Sequence, residues 1–82
     1  MRQTSGIIIN NDIFINSSHV VKMDKSKIIN GSETDIDYTI DIYMLGDTSP
    51  IVFNFEDESD RNVIFNKIVM ELYGHNYAYV KF

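Results

Sequence analysis

"DIDYTIDIYMLGDTSPIVFNFEDESDRNVIFNKIVMEL", residues 35 to 72, contains a change of period, and that change decides the fold class. Over residues 35 to 44, Ile36, Tyr38, Ile40, Ile42 and Met44 alternate with Asp35, Asp37, Thr39, Asp41 and Tyr43. Strict period-two alternation describes an antiparallel strand with one buried face and one wet face. "LGDTSP" follows with the composition of a turn, and "IVFNFE" alternates again, with Ile51, Phe53 and Phe55 on the inner side. The two runs read as a hairpin. Beyond Arg61 the apolar residues Ile64, Phe65, Ile68, Val69 and Leu72 recur at spacings of three and four, with Val63 at the edge. That spacing is one face of a helix, over about residues 58–73.

The acids between strand and helix, Glu56, Asp57, Glu58 and Asp60, read as the helix start. The first helical turn leaves N–H groups unpaired and carries partial positive charge, so acids are stabilising there. Asp57 is the expected N-cap, with Ser59 as rival. A calcium loop would need spaced oxygen ligands around a sharp turn, usually at a glycine, and "EDESDRN" has neither. Gly74 stands where a terminating glycine belongs.

Upstream, Ile7–Ile9 and Ile13–Ile15 flank Asn10-Asn11-Asp12, residue types that tolerate positive φ, and predict a tight hairpin. In "SSHVVKMDKSKII" Val21 and Met23 are expected on one strand face, with Lys22 and Asp24 opposite. "NGSETD" reads as a turn. Downstream, "HNYAYVKF" alternates once more, with Tyr77 and Tyr79 on one side and Ala78, Val80 and Phe82 on the other, which predicts a last short strand. The expected architecture is α+β: a small antiparallel sheet of about five to six strands with one C-terminal amphipathic helix packed on it.

At 82 residues the chain is one domain, residues 1–82. Its composition, 44% hydrophobic and 12% aromatic, is that of a folded chain. There is no cysteine, which removes disulfides, thiolate metal sites and cysteine nucleophiles. The N-terminus has no apolar core of signal-peptide length, and no apolar run approaches the ~20 residues of a spanning helix. The expectation is a cytoplasmic protein without membrane contact. A net charge of −5 argues against direct nucleic-acid binding, which draws its affinity from lysine and arginine at phosphates.

No catalytic constellation emerges. Asp35, Asp37 and Asp41 share a strand face, but the wet face of a half-buried strand accounts for them without acid–base chemistry. His19 beside Ser17 and Ser18 lacks a nucleophile elbow, and His75 after Gly74 suits a helix C-terminus. Phosphate-binding glycine loops are absent, and nothing calls for a cofactor or a metal. Tyrosine is enriched at interfaces, so Asp35, Asp37, Asp41, Tyr43, Tyr77 and Tyr79 are the candidate partner-binding residues. A terminal strand is also an edge that can pair with another chain, which points to a homodimer through "YAYVKF".

The run "FINSSHVVKM … YTIDIYM … PIVFNFEDESDRNVIFNKIVMEL" resembles short bacterial and phage proteins in which a hairpin and a strand meander precede an acid-capped helix, several of them like a reduced pleckstrin-homology half-barrel. The resemblance spans roughly residues 7 to 72 and transfers no catalytic motif. The leading expectation is a non-enzymatic protein-interaction module with a protein partner, of the kind a phage uses to inhibit a host system, acting through an acidic surface or an exposed strand edge. The alternative is a nucleotide-binding or sequestering protein with its site at a subunit interface, where Lys22, Lys25 and Lys27 would reach phosphates.

Overall fold

Asn10 and Asn11 both adopt positive φ, 55° and 63°. Left-handed backbone at two successive turn residues matches the twist of a tight hairpin, and asparagine tolerates it better than most residues. In the computed structural model, which describes residues 6–74, this turn joins β1 (Gly6–Ile9) to β2 (Ile13–Asn16). A short 3-10 turn, Ser17–His19, leads into β3 (Val20–Ile29), followed by β4 (Ile36–Met44), β5 (Ile51–Phe55) and α1 (Glu58–Tyr73). The described residues thus form a small α+β fold, a hairpin, a strand meander and one helix, with the helix at the predicted residues.

The strands divide into two sheets where one was expected. β1 and β2 form one, and β3-β4-β5 form the other, all pairs antiparallel. The separation falls at the 3-10 turn. There the Asn16 side chain accepts hydrogen bonds from the Ser18 N–H (3.0 Å) and the Ser18 hydroxyl (2.8 Å). A side chain that satisfies local backbone in this way competes with continued strand pairing. The strand expected over the last residues lies outside the described residues.

The register sorts side chains onto faces. In the meander, β4 places Tyr38, Ile40, Ile42 and Met44 toward α1, joined by Phe53 and Phe55 of β5. In the hairpin, Ile7 pairs with Ile15 and Ile9 with Ile13 on the inner side, while Ile8 pairs with Phe14 on the outer side. Ile15, Ile40, Ile42 and Ile68 form the buried centre, around which Met23, Phe53, Ile64, Phe65 and Leu72 pack. One strand departs from its expected phase. A bulge between Val20 and Lys22 turns Val21 outward, 63% exposed, and leaves Val20 and Met23 against the core. An extra residue on one strand shifts every side chain before it by one face, which period-two counting from Met23 backward misses.

The helix ends follow the capping rules. Asp57 Oδ2 accepts from the Asp60 N–H at 3.2 Å, so Asp57 and not Ser59 is the N-cap. Gly74 closes the helix at φ 63°, with its N–H bonded to the Met70 carbonyl at 2.8 Å.

Candidate interaction surfaces

The wet face of the meander is built by β3 and β4 in register. Asp24 stands directly opposite Asp41, and Ser26 opposite Thr39. Like charges at opposed strand positions repel. Two local contacts offset this repulsion: Lys22 Nζ lies 3.7 Å from Asp24, and the Ser26 hydroxyl donates to Asp41 Oδ2 at 3.0 Å. Ser26 also shares a 2.7 Å hydrogen bond with Thr39, whose position between Ser26 and Asn54 leaves it 1% exposed. Asp37 accepts from the Asn30 side chain at 3.1 Å, across the end of the same hairpin. The face is a polar ladder whose carboxylates are engaged with neighbouring strand residues.

Among the sequence-derived candidates, Asp37, Asp41 and Tyr43 fall on this one face, while Asp35 lies before the strand, in an exposed turn. Lys22 sits over the Tyr43 ring, 4.6 Å from its centroid. The three lysines do not converge. Lys22 is on the wet face, whereas Lys25 pairs with Ile40 and Lys27 with Tyr38 on the opposite, helix-facing side. Lys25 reaches over the Phe65 ring at 5.2 Å. Tyr77 and Tyr79 lie outside the described residues, as does the proposed dimer strand. His19 is exposed, and its Ser18 neighbour is already bonded to Asn16. Among the described residues no three acids or histidines are placed to hold a metal ion.

Arg61 is the residue that pattern reading passed over. It lies in the first turns of α1 and is 5% exposed. Its Nη1 donates to the Ser26 carbonyl at 2.7 Å and to the Thr39 carbonyl at 3.0 Å, one from each strand of the β3–β4 pair. Nε donates to Asn62 Oδ1 at 2.9 Å, and Nη2 lies 3.5 Å from the Glu58 carboxylate. The guanidinium also lies over the Tyr38 ring, 5.6 Å from its centroid. A buried cation is tolerated only when paired and hydrogen-bonded, and the planar fork of arginine meets both conditions here. The available signal was an arginine at the edge of an apolar helical face.

The apolar surface left uncovered is more pronounced than the acidic one. Ile8 and its cross-strand partner Phe14 are 66% and 61% exposed on the outer side of the hairpin. On α1, Val63 and Met70 are seven residues apart, two helical turns, and both face outward. Lys67 and Glu71 lie between the two groups: they border a depression with Ile8 on one side and another with Val63 and Met70 on the other. One continuous surface therefore runs from Phe14 and Ile8 across the Lys67–Glu71 pair to Val63 and Met70. No family model matches the chain, and neither the curated proteins nor the solved structures provide a match.

Proposed function

We propose that the protein is a non-enzymatic interaction module that binds another protein through the Ile8–Phe14 face and the adjoining Val63–Met70 stripe of α1. The observation that carries this reading is the cross-strand pair Ile8–Phe14, two large apolar side chains held side by side in water. Large apolar side chains grouped on the surface beside charged residues are a usual mark of a protein-binding surface. The centre of such a patch is where aromatic and aliphatic anchors contribute most. The acidic ladder over Asp37 and Asp41 supplies a charged flank that steers a basic partner without itself being the anchor. The resemblance to short bacterial and phage proteins with a hairpin and meander is compatible with a host protein as the partner within this reading. The nucleotide reading draws less support, because Lys22 is on one side of β3 and Lys25 and Lys27 are on the other.

The test compares the full chain with its Phe14→Lys and Ile8→Lys variants. Binding to a partner identified by affinity capture and mass spectrometry is measured by calorimetry. Light scattering over a dilution series reports self-association in parallel. The expected result is a loss of at least about tenfold in affinity, with far-UV circular dichroism unchanged. Equal affinity in wild type and both variants overturns the reading.

A further inference from the structure

The turn between β3 and β4 opens on Asn30-Gly31, the one place among the described residues where a glycine follows an asparagine. That pair has a covalent chemistry of its own. The backbone nitrogen after an asparagine can attack the side-chain amide carbon, and the side chain on the attacking residue is the main obstacle. Glycine removes the obstacle and leaves the backbone free to rotate. Gly31 has φ 91°, and nothing lies within 4 Å of the position a Cβ would take. Both residues are exposed. Among the described residues the Gly31 N–H donates to no acceptor, whereas the Asn30 N–H is bonded to the Asp35 carbonyl at 2.8 Å. The nucleophile is free while the residue that carries the electrophile is anchored.

One exposed contact holds the Asn30 side chain, Nδ2 donating to Asp37 Oδ2 at 3.1 Å. Releasing a single exposed hydrogen bond slows a reaction by no more than about tenfold. The other described asparagines are placed differently. Asn62 and Asn66 lie in α1, where the next N–H is bound into the helix ladder. Asn16 has its Oδ1 engaged with Ser18, and the N–H after Asn11 is bonded to the Ile9 carbonyl. Asn54 sits in β5 ahead of bulky Phe55.

We propose that Asn30 is a site of spontaneous deamidation, through a succinimide formed with Gly31. The Gly31 nitrogen gives its proton to solvent base and bonds to Asn30 Cγ. The Cγ–Nδ2 bond breaks, and the amide nitrogen leaves as ammonia with a proton from water. Water then opens the ring. Attack at Cγ yields aspartate, and attack at the Asn30 backbone carbonyl yields isoaspartate, with the main chain running through Cβ and Cγ. Nothing is oxidised or reduced. Either product replaces an amide donor by a carboxylate, ionised at neutral pH. The new charge falls beside Asp37, so an attractive contact becomes a repulsive one at the end of the hairpin. The acidic face over Asp37 and Asp41 thereby gains charge with age. The reaction belongs to the turn alone and does not depend on the Phe14 face.

The experiment incubates the full chain at neutral and mildly alkaline pH, folded and in urea. Residue 30 is followed by peptide mass spectrometry, with chromatographic separation of aspartate from isoaspartate. The expected result is conversion at Asn30 ahead of every other described asparagine, with both products present and a rate that rises with pH. The folded rate lies within about tenfold of the rate in urea. Gly31→Ala slows the conversion at least about tenfold, in urea as well, where a disturbed turn plays no part. A folded chain that converts Asn30 no faster than Asn16 or Asn54 overturns the proposal. So does a folded rate far below that in urea, because the turn then protects the amide. Aspartate without isoaspartate, which means direct hydrolysis, overturns it too, as does a rate that Gly31→Ala leaves unchanged.

Discussion

Replacing Arg61 tests how the helix is fastened to the sheet. In Arg61→Ala the two hydrogen bonds from Nη1 to the Ser26 and Thr39 carbonyls disappear. Bonds to a charged donor are worth roughly 1.5–3 kcal/mol each, so the gross loss is about 3–6 kcal/mol. Two effects reduce it. The carbonyls have second lone pairs and belong to paired strands, so they are not orphaned. Burying the guanidinium also carried a desolvation cost that the variant no longer bears. The contact with Glu58, which is 61% exposed, adds little. The net expectation is a loss of about 2–4 kcal/mol. For a domain of this size that lowers Tm by roughly 10–25 °C. Arg61→Met removes the same polar contacts but keeps the aliphatic packing of the stem, so it should fall at the lower end of that range, about 2 kcal/mol. Urea unfolding followed by far-UV circular dichroism, with linear extrapolation, measures both variants. A Met variant within about 0.5 kcal/mol of wild type, at unchanged m-value, would show that the carbonyl bonds contribute nothing net and refute the reasoning.

Three further outcomes are expected. Asp57→Ala leaves the Asp60 N–H without its acceptor and should cost about 0.5–2 kcal/mol in urea unfolding. Gly6→Ala places a Cβ against the Ile15 carbonyl oxygen and the Phe14 ring, and should cost about 1–3 kcal/mol, read as a lower Tm in calorimetry. Burial raises the pKa of the Tyr73 phenol above its ordinary value of 10.0, so the folded chain holds that proton more tightly than the unfolded one. The associated stability is fully present below pH 10 and is lost as pH rises through the raised pKa. Tyr73→Phe should therefore flatten the alkaline limb of a Tm-against-pH curve, and an unchanged limb contradicts this.

Period and punctuation made most of the fold legible. The alternation from Ile36 to Met44, the asparagine turn at residues 10 and 11, and the Asp57-to-Gly74 helix all appear where local rules place them, because each rests on short-range chemistry. What escaped depends on relations between distant residues. The bulge at Val21 is a mismatch between two strands, visible only once Met44 and Tyr43 are set against Val20 and Lys22. The burial of Arg61 depends on carbonyls 22 and 35 residues away. The split into two sheets arises because Asn16 holds Ser18 in a 3-10 turn, a competition that alternation alone does not register. Among the candidate site residues, sharing a strand face brought Asp37, Asp41 and Tyr43 together. Proximity in sequence did not bring the three lysines together, since neighbours in a strand point to opposite sides.

Each described strand pairs with its neighbour in sequence: β1 with β2, β3 with β4, β4 with β5. The consequence is kinetic. Every pairing closes a short loop, so little entropy is spent before contacts form, and such connectivity favours rapid assembly. The order of synthesis sharpens the point. The five described strands all precede α1, so strand pairing can begin before the helix is available to dock. The helix then arrives as a latch, bonding through Arg61 to a β3–β4 ladder already in place and laying Ile68 over Ile40 and Ile42. A chain in which the strands have paired before α1 docks displays those isoleucines to solvent, which makes that interval the one of greatest aggregation hazard.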